Sequence, residues 1–155
     1  MIDQFPQWLQ IFLSSMIPGV EAKFIVPYAI FSFGWEWWQA YPIALAGNMF
    51  LVPVGLKFFK YEEQFFRKYE WSRKIIDKIL TRIRNRTDKK VQRYKTLALI
   101  FFVAIPVPLT GAGLGVVIAY LFDFKFSESI LMIFIGVLIS TTITTVLFLT
   151  GAYIF

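Results

Sequence analysis

Of the 155 residues, 57% are hydrophobic and 19% aromatic, and the mean hydropathy is +0.62. A soluble domain is roughly 45–50% apolar, and one this short keeps most of its surface wet, so the excess calls for lipid as solvent. The chain has no Cys and no His, which excludes disulfides, Cys/His zinc sites, haem ligation by His and any Cys- or His-based triad. No acidic cluster has metal-ligand spacing, and no cofactor is expected.

Net charge is +6, but 14 of the 16 basic residues lie between Lys57 and Lys95, where only 5 of the 10 acidic ones fall. A uniformly basic chain would suggest nucleic acid. One basic block between two apolar blocks instead marks a cytoplasmic membrane segment, so no nucleic-acid partner is expected. The Met1 end carries Asp3, no basic residue and no small-residue cleavage site, unlike a removable signal peptide.

The first apolar stretch, Phe5 to Phe33, is interrupted at Ile17-Pro18-Gly19-Val20-Glu21-Ala22-Lys23. Pro18 removes a backbone donor and Gly19 loosens the chain, which breaks a helix. The arm Phe5 to Ile17 rises only ~20 Å as a helix, short of the ~30 Å hydrocarbon core. These lengths fit a re-entrant helical hairpin. Gly34 to Gln39, with Trp35, Trp37 and Trp38, reads as an interfacial turn. Ala40 to Phe59 is a full apolar span with Pro42, Pro53 and a mid-span Asn48.

In the basic segment, Phe65, Tyr69, Ile76, Ile79, Leu80 and Ile83 recur at helical spacing. They predict an amphipathic helix on an anionic leaflet, or equally a solvated helix packed on protein. Asn85 to Lys90 reads as a turn. The second apolar block, Thr96 to Phe122, repeats the plan with a break from Ile105 to Gly113. Its arms, Leu97 to Ile105 and Ala112 to Phe122, are again too short to cross. Ile130 to Phe155 is long enough to span with some tilt.

The expected fold is an all-α integral membrane protein of one membrane domain over residues 1–155. Repeat 1 covers about 5–59, the basic connector about 60–95 and repeat 2 about 96–155. Each repeat is a re-entrant hairpin plus one transmembrane helix. With the connector cytoplasmic, the hairpins enter from opposite faces, the repeats are inverted as in several transporters, and both termini lie outside. If both broken segments crossed fully, four spans with both termini inside would result.

Irregular backbone at membrane depth survives only when buried in protein or lining a wet cavity, so both breaks are expected to meet near the midplane. Glu21 and Lys23 are the only charges inside an apolar block, and such residues face cavities and have partners. Two residues apart on a helix, they would not stack on one face, so each is expected to reach a different group. Glu21 is then a protonatable or substrate-coupled site, or else it caps the second arm. Pro106 and Pro108 free backbone carbonyls, Thr110 adds a hydroxyl, and amides at Gly111 to Gly113 suit an anion with Lys23 as companion. The alternative is close packing through Gly111 and Gly115. Asn48 would bond a hairpin or backbone. The hydroxyls Ser140-Thr141-Thr142 and Thr144-Thr145 would line a path or bond their own helix.

At the two breaks the chain resembles the small multidrug export protein family, distantly related to the DedA and VTT-domain membrane proteins. The residues are Ile17-Pro18-Gly19-Val20-Glu21-Ala22-Lys23 with Ile25-Val26-Pro27, Ala46-Gly47-Asn48 ahead of Val52-Pro53-Val54, and Ala104-Ile105-Pro106-Val107-Pro108-Leu109-Thr110-Gly111-Ala112 leading to Ala119-Tyr120. The family pattern has Arg where Lys23 stands and Gly where Leu109 stands, and Lys lacks the bidentate grip of Arg on phosphate or carboxylate. The resemblance implies paired re-entrant hairpins and transport, with lipid-carrier translocation and scrambling recurrent in the wider superfamily.

The expectation is a plasma-membrane, multi-pass, homodimeric transporter among membrane lipids. It moves a small amphiphile or a lipid-linked anion of the polyprenyl phosphate or phospholipid class, coupled to protons or sodium through Glu21. The alternatives are a small-drug or cation exporter and a non-transport scaffold using the basic helix. No nucleophile–base pair suggests an enzyme.

Overall fold

A computed structural model describes residues 5–66, 89–108 and 110–151, together with Lys78 and Thr81, which lie on helical backbone. Among the described residues there are six α-helices and no strands. In chain order they are α1 (Gln7–Ser15), α2 (Glu21–Phe33), α3 (Trp37–Phe66), α4 (Lys89–Ala104), α5 (Ala112–Leu121) and α6 (Phe126–Leu149). Most of the predicted amphipathic helix, including Tyr69, Ile76, Ile79, Leu80 and Ile83, lies outside the described residues, as does Asn85 to Asp88. Lys89 and Lys90, read from sequence as part of a turn, already belong to α4.

Two helices are long and apolar enough to cross a bilayer, Trp37–Tyr61 of α3 and Phe126–Leu149 of α6. At about 1.5 Å per residue each rises roughly 36 Å, against a core of ~30 Å. By the same measure α1, α2 and α5 rise only about 14–20 Å. On α3, Phe50, Val54 and Phe58 recur every fourth residue and are exposed, as are Leu131, Leu138 and Val146 on α6. So many large apolar side chains facing outward suit lipid and not water.

The turn between α2 and α3 is tighter than the sequence suggested. Gly34 ends α2 with φ +67°, and Trp35 N–H donates to the Ala29 carbonyl at 3.3 Å, closing the last turn. Trp37 to Gln39 are not a turn but the first residues of α3. The cause is Gln39, whose side-chain oxygen accepts from the Glu36 N–H at 3.1 Å, the returning half of a capping box. Trp35 Nε1 also donates to Gln7 Oε1 at 2.8 Å, so the start of α1 lies beside the end of α2. In the second half, the Lys95 ammonium sits 5.4 Å from the Phe122 ring centroid, joining the first part of α4 to the end of α5.

The helices pack through small residues, as membrane helices do when lipid gives no hydrophobic drive between them. Gly47 of α3 faces the Phe12 carbonyl and Ser15 hydroxyl of α1, with no room for a Cβ. Gly115 and Gly136 close in the same way on Val103 of α4. Within the first half, α1, α2 and α3 all touch one another; within the second, so do α4, α5 and α6. Between halves the principal contacts are α2 with α6, α3 with α5, and α3 with α6. Exchanging the two halves leaves this contact set unchanged.

Gly47→Ala should therefore lower the thermal stability of the purified protein in detergent, by the 1–3 kcal/mol or so typical of overpacking. A Cβ at Gly113 would meet only Pro18 at 4.0 Å, so Gly113→Ala should melt like the parent. Equal melting of both variants would refute the packing assigned to Gly47.

Candidate functional site

The chain leaves α1 through Met16 to Val20, with Gly19 at φ +92° and Glu21 itself at φ +51°. A non-glycine residue held left-handed costs about 1–2 kcal/mol, and such strain persists only where surrounding contacts impose it. Those contacts are visible. Lys23 Nζ lies 3.1 Å from Glu21 Oε2, and both residues are buried, at 1% and 4% exposure. This corrects the expectation that the pair would diverge. That expectation assumed regular helix at both positions, whereas the left-handed backbone at Glu21 sends its carboxylate round to Lys23. Nor does Glu21 occupy the capping position, which falls to Val20.

The second break supplies backbone to this pair. Pro106 and Pro108 leave carbonyls of the preceding turn without helical donors. The Thr110 hydroxyl donates to the carbonyls of Ile105 and Val107, 2.8 Å from each. The Val107 carbonyl also receives Lys23 Nζ at 2.6 Å. At the start of α5 the Glu21 carboxylate fills the space where a Cβ on Gly111 would stand. The two breaks are thus joined by Lys23 with Val107, Glu21 with Gly111, and Pro18 facing Gly113. Thr110, predicted as a ligand, spends its hydroxyl holding the break together. The helix start predicted to receive a substrate anion is met by the protein's own carboxylate.

Two cavities flank the pair. One is an apolar cleft of about 270 Å³ between the first break, α3 and α5, walled by Leu51, Val52, Phe58, Phe59 and Val116. Ligand pockets start near ~300 Å³. Glu21 is the only charged residue in its wall, and Asn48 stands with it. The other is a closed chamber too narrow for a water molecule, lined by Glu21, Lys23, Asn48, Val103, Gly111, Val137, Ser140 and Thr141. Glu21 and Asn48 therefore separate the two.

The hydroxyl cluster on α6 divides cleanly. Thr142, Thr144 and Thr145 donate to carbonyls of their own helix at 2.7–3.1 Å, and Tyr41 joins Thr142 at 2.8 Å. Ser140 Oγ and Thr141 Oγ1, like Asn48 Nδ2, are buried without a hydrogen-bond partner. Each such atom costs about 1–3 kcal/mol, and all three residues border the chamber. Sequence reasoning named the cluster but could not choose among its members. It also missed Tyr41, for which an aromatic hydroxyl opposite a Thr-rich helix was the available signal.

Because the pair is buried, removing one partner should cost more than removing both. Glu21→Gln and Lys23→Met alone should each destabilise by about 3–5 kcal/mol, and the double variant by clearly less. Additive losses in a thermal double-mutant cycle would show that the two charges do not depend on each other.

Over residues 21–143 the chain matches the model of the family described as "Putative small multi-drug export protein". No curated protein and no solved structure matches it. The matched span opens on Glu21, contains both sides of the ion pair and the whole second break, and runs past Ser140 and Thr141 on α6. The chain belongs to this small multi-drug export protein family.

Proposed function

We propose that the protein is a membrane exporter of amphiphilic organic cations, which lie in the apolar cleft with the positive group against Glu21. The carrying observation is that this cleft has one charged wall residue and it is a carboxylate. A buried carboxylate selects for positive charge, while the aromatic and aliphatic walls accept varied apolar bodies. The family description, an export protein, agrees with a transporter and not an enzyme. A lipid-linked anion, the other substrate class suggested by sequence, would need Lys23. That side chain does not line the cleft and is held by Glu21 and the Val107 carbonyl.

The architecture proposed for transport is a pair of inverted repeats, each a re-entrant hairpin and a span. Two contacts support hairpins over full crossings: Gln7 with Trp35 at one mouth, Lys95 with Phe122 at the other. The first mouth lies by the start of α3. The second lies towards its other end, where Tyr120 stacks on Phe59 with ring centroids 5.5 Å apart. The hairpins would then open to opposite faces, with the basic connector cytoplasmic, both termini outside and the plasma membrane as host. Kinship with the DedA proteins rests on the break motifs. Two spans per chain make a thin wall, which favours a homodimer.

Two measurements test this. In proteoliposomes, a fluorescent lipophilic cation should be exported by the parent protein, and the stable Glu21→Gln/Lys23→Met variant should retain under a tenth of that rate. Export by the double variant at the parent rate would sink the role of Glu21. The chain has no Cys, so single cysteines report topology cleanly. A membrane-impermeant thiol reagent should label Phe5→Cys from outside and Lys125→Cys only from the cytoplasmic side. Full crossings by both broken segments would give the reverse.

A further inference from the structure

We infer that the closed chamber behind the cleft is a sodium site, which Na⁺ enters in exchange for the proton of Lys23. Its role in coupling rests on the export reading; the site itself does not.

The chamber gathers oxygen ligands of the kind a hard cation needs. They are the Glu21 carboxylate, Ser140 Oγ and Thr141 Oγ1, beside the Asn48 side-chain amide. Both hydroxyls are buried without partners, although Thr144 and Thr145, one turn further along α6, bond to carbonyls of their own helix. The Asn48 amide nitrogen is unpartnered too, and rotating the amide presents oxygen in its place without changing its shape. Unpartnered buried oxygens aimed at one point are expensive unless something binds them.

Size and charge narrow the ligand. The chamber does not admit a water molecule, whose hydrogen bonds hold oxygens about 2.7–2.8 Å away. A small bare cation draws its ligands closer than that, and a larger one such as K⁺ does not. The Glu21–Lys23 pair is neutral, so an added monovalent cation leaves one uncompensated charge in a dry site, which is costly. Balance returns when the Lys23 ammonium releases one proton to water and stays as the free amine. A divalent ion would remain overcharged. No other titratable group faces the chamber: α3 contributes Asn48, α4 Val103, the second break Gly111, and α6 Val137, Ser140 and Thr141. Since Glu21 and Asn48 also wall the cleft, an organic cation there and Na⁺ in the chamber compete for one carboxylate. That is the requirement for exchange.

The test is thermal stability of the purified full chain in NaCl, KCl or choline chloride at equal ionic strength, over a range of pH. Na⁺ alone should raise the Tm, because it binds the folded state, and half-saturation should need less Na⁺ as pH rises. Ser140→Ala with Thr141→Val removes no internal hydrogen bond of those side chains and should keep the fold. It should weaken the Na⁺ response tenfold or more. The same Tm in all three salts, or an undiminished response in this double variant, overturns the sodium site. Export of a lipophilic cation without any Na⁺ response would overturn the site and leave the export reading standing. A Na⁺ response without export would do the opposite.

Discussion

The fold turns on a salt bridge that ought to be expensive. Glu21 and Lys23 are both removed from solvent, and stripping water from two charges costs several kcal/mol per ion unless geometry and further hydrogen bonds repay it. Here the repayment comes from the other half of the chain. Lys23 is held by the Val107 carbonyl, which Pro106 and Pro108 keep out of a regular helix, and Glu21 rests against Gly111. The left-handed backbone at Glu21 and the missing side chain at Gly111 are two halves of one arrangement. Without either, the carboxylate would have nowhere to lie.

This division of labour is unequal although the helix contacts are balanced. The first break contributes both charges, and the second contributes backbone and a glycine. Around them α3 and α6 serve as the frame, brought close by Gly47 and Gly136, and each adds polar groups only where it faces the pair. Asn48 comes from α3, and Ser140 and Thr141 from α6. Glu21 has an apolar cleft on one side and an oxygen-lined chamber on the other. A single carboxylate with two exposures is a simple way to make two ligands exclude each other.

The hydroxyls of α6 show why composition alone misleads about polar helices. Five hydroxyl residues lie between Ser140 and Thr145, and in lipid such residues bond back to their own carbonyls. Three do so. The other two are set apart by their position on the helix surface, which turns them toward Glu21 instead of another helix or lipid. Selecting them takes the rotation of α6 about its axis, and packing against Val103 and Ile133 fixes that rotation.

What the sequence determined is what its local chemistry encodes. Pro18-Gly19 and Pro106 to Gly113 break helices wherever they stand, and two long apolar runs make long helices. The basic block separates two apolar halves. Even the start of α3 was encoded, in the Gln39 that closes its first turn, although the Trp-rich composition hid it. What tertiary structure decided is which groups meet. Lys23 and Val107 are 84 residues apart, and no periodicity relates them. Their contact depends on two breaks arriving at the same depth with their backbones turned the right way. The sequence reading sent Glu21 and Lys23 to different partners because helical geometry at i and i+2 points side chains apart. Packing overruled that rule by holding Glu21 in a left-handed conformation, since a buried charge unpaired would cost more than the strained backbone.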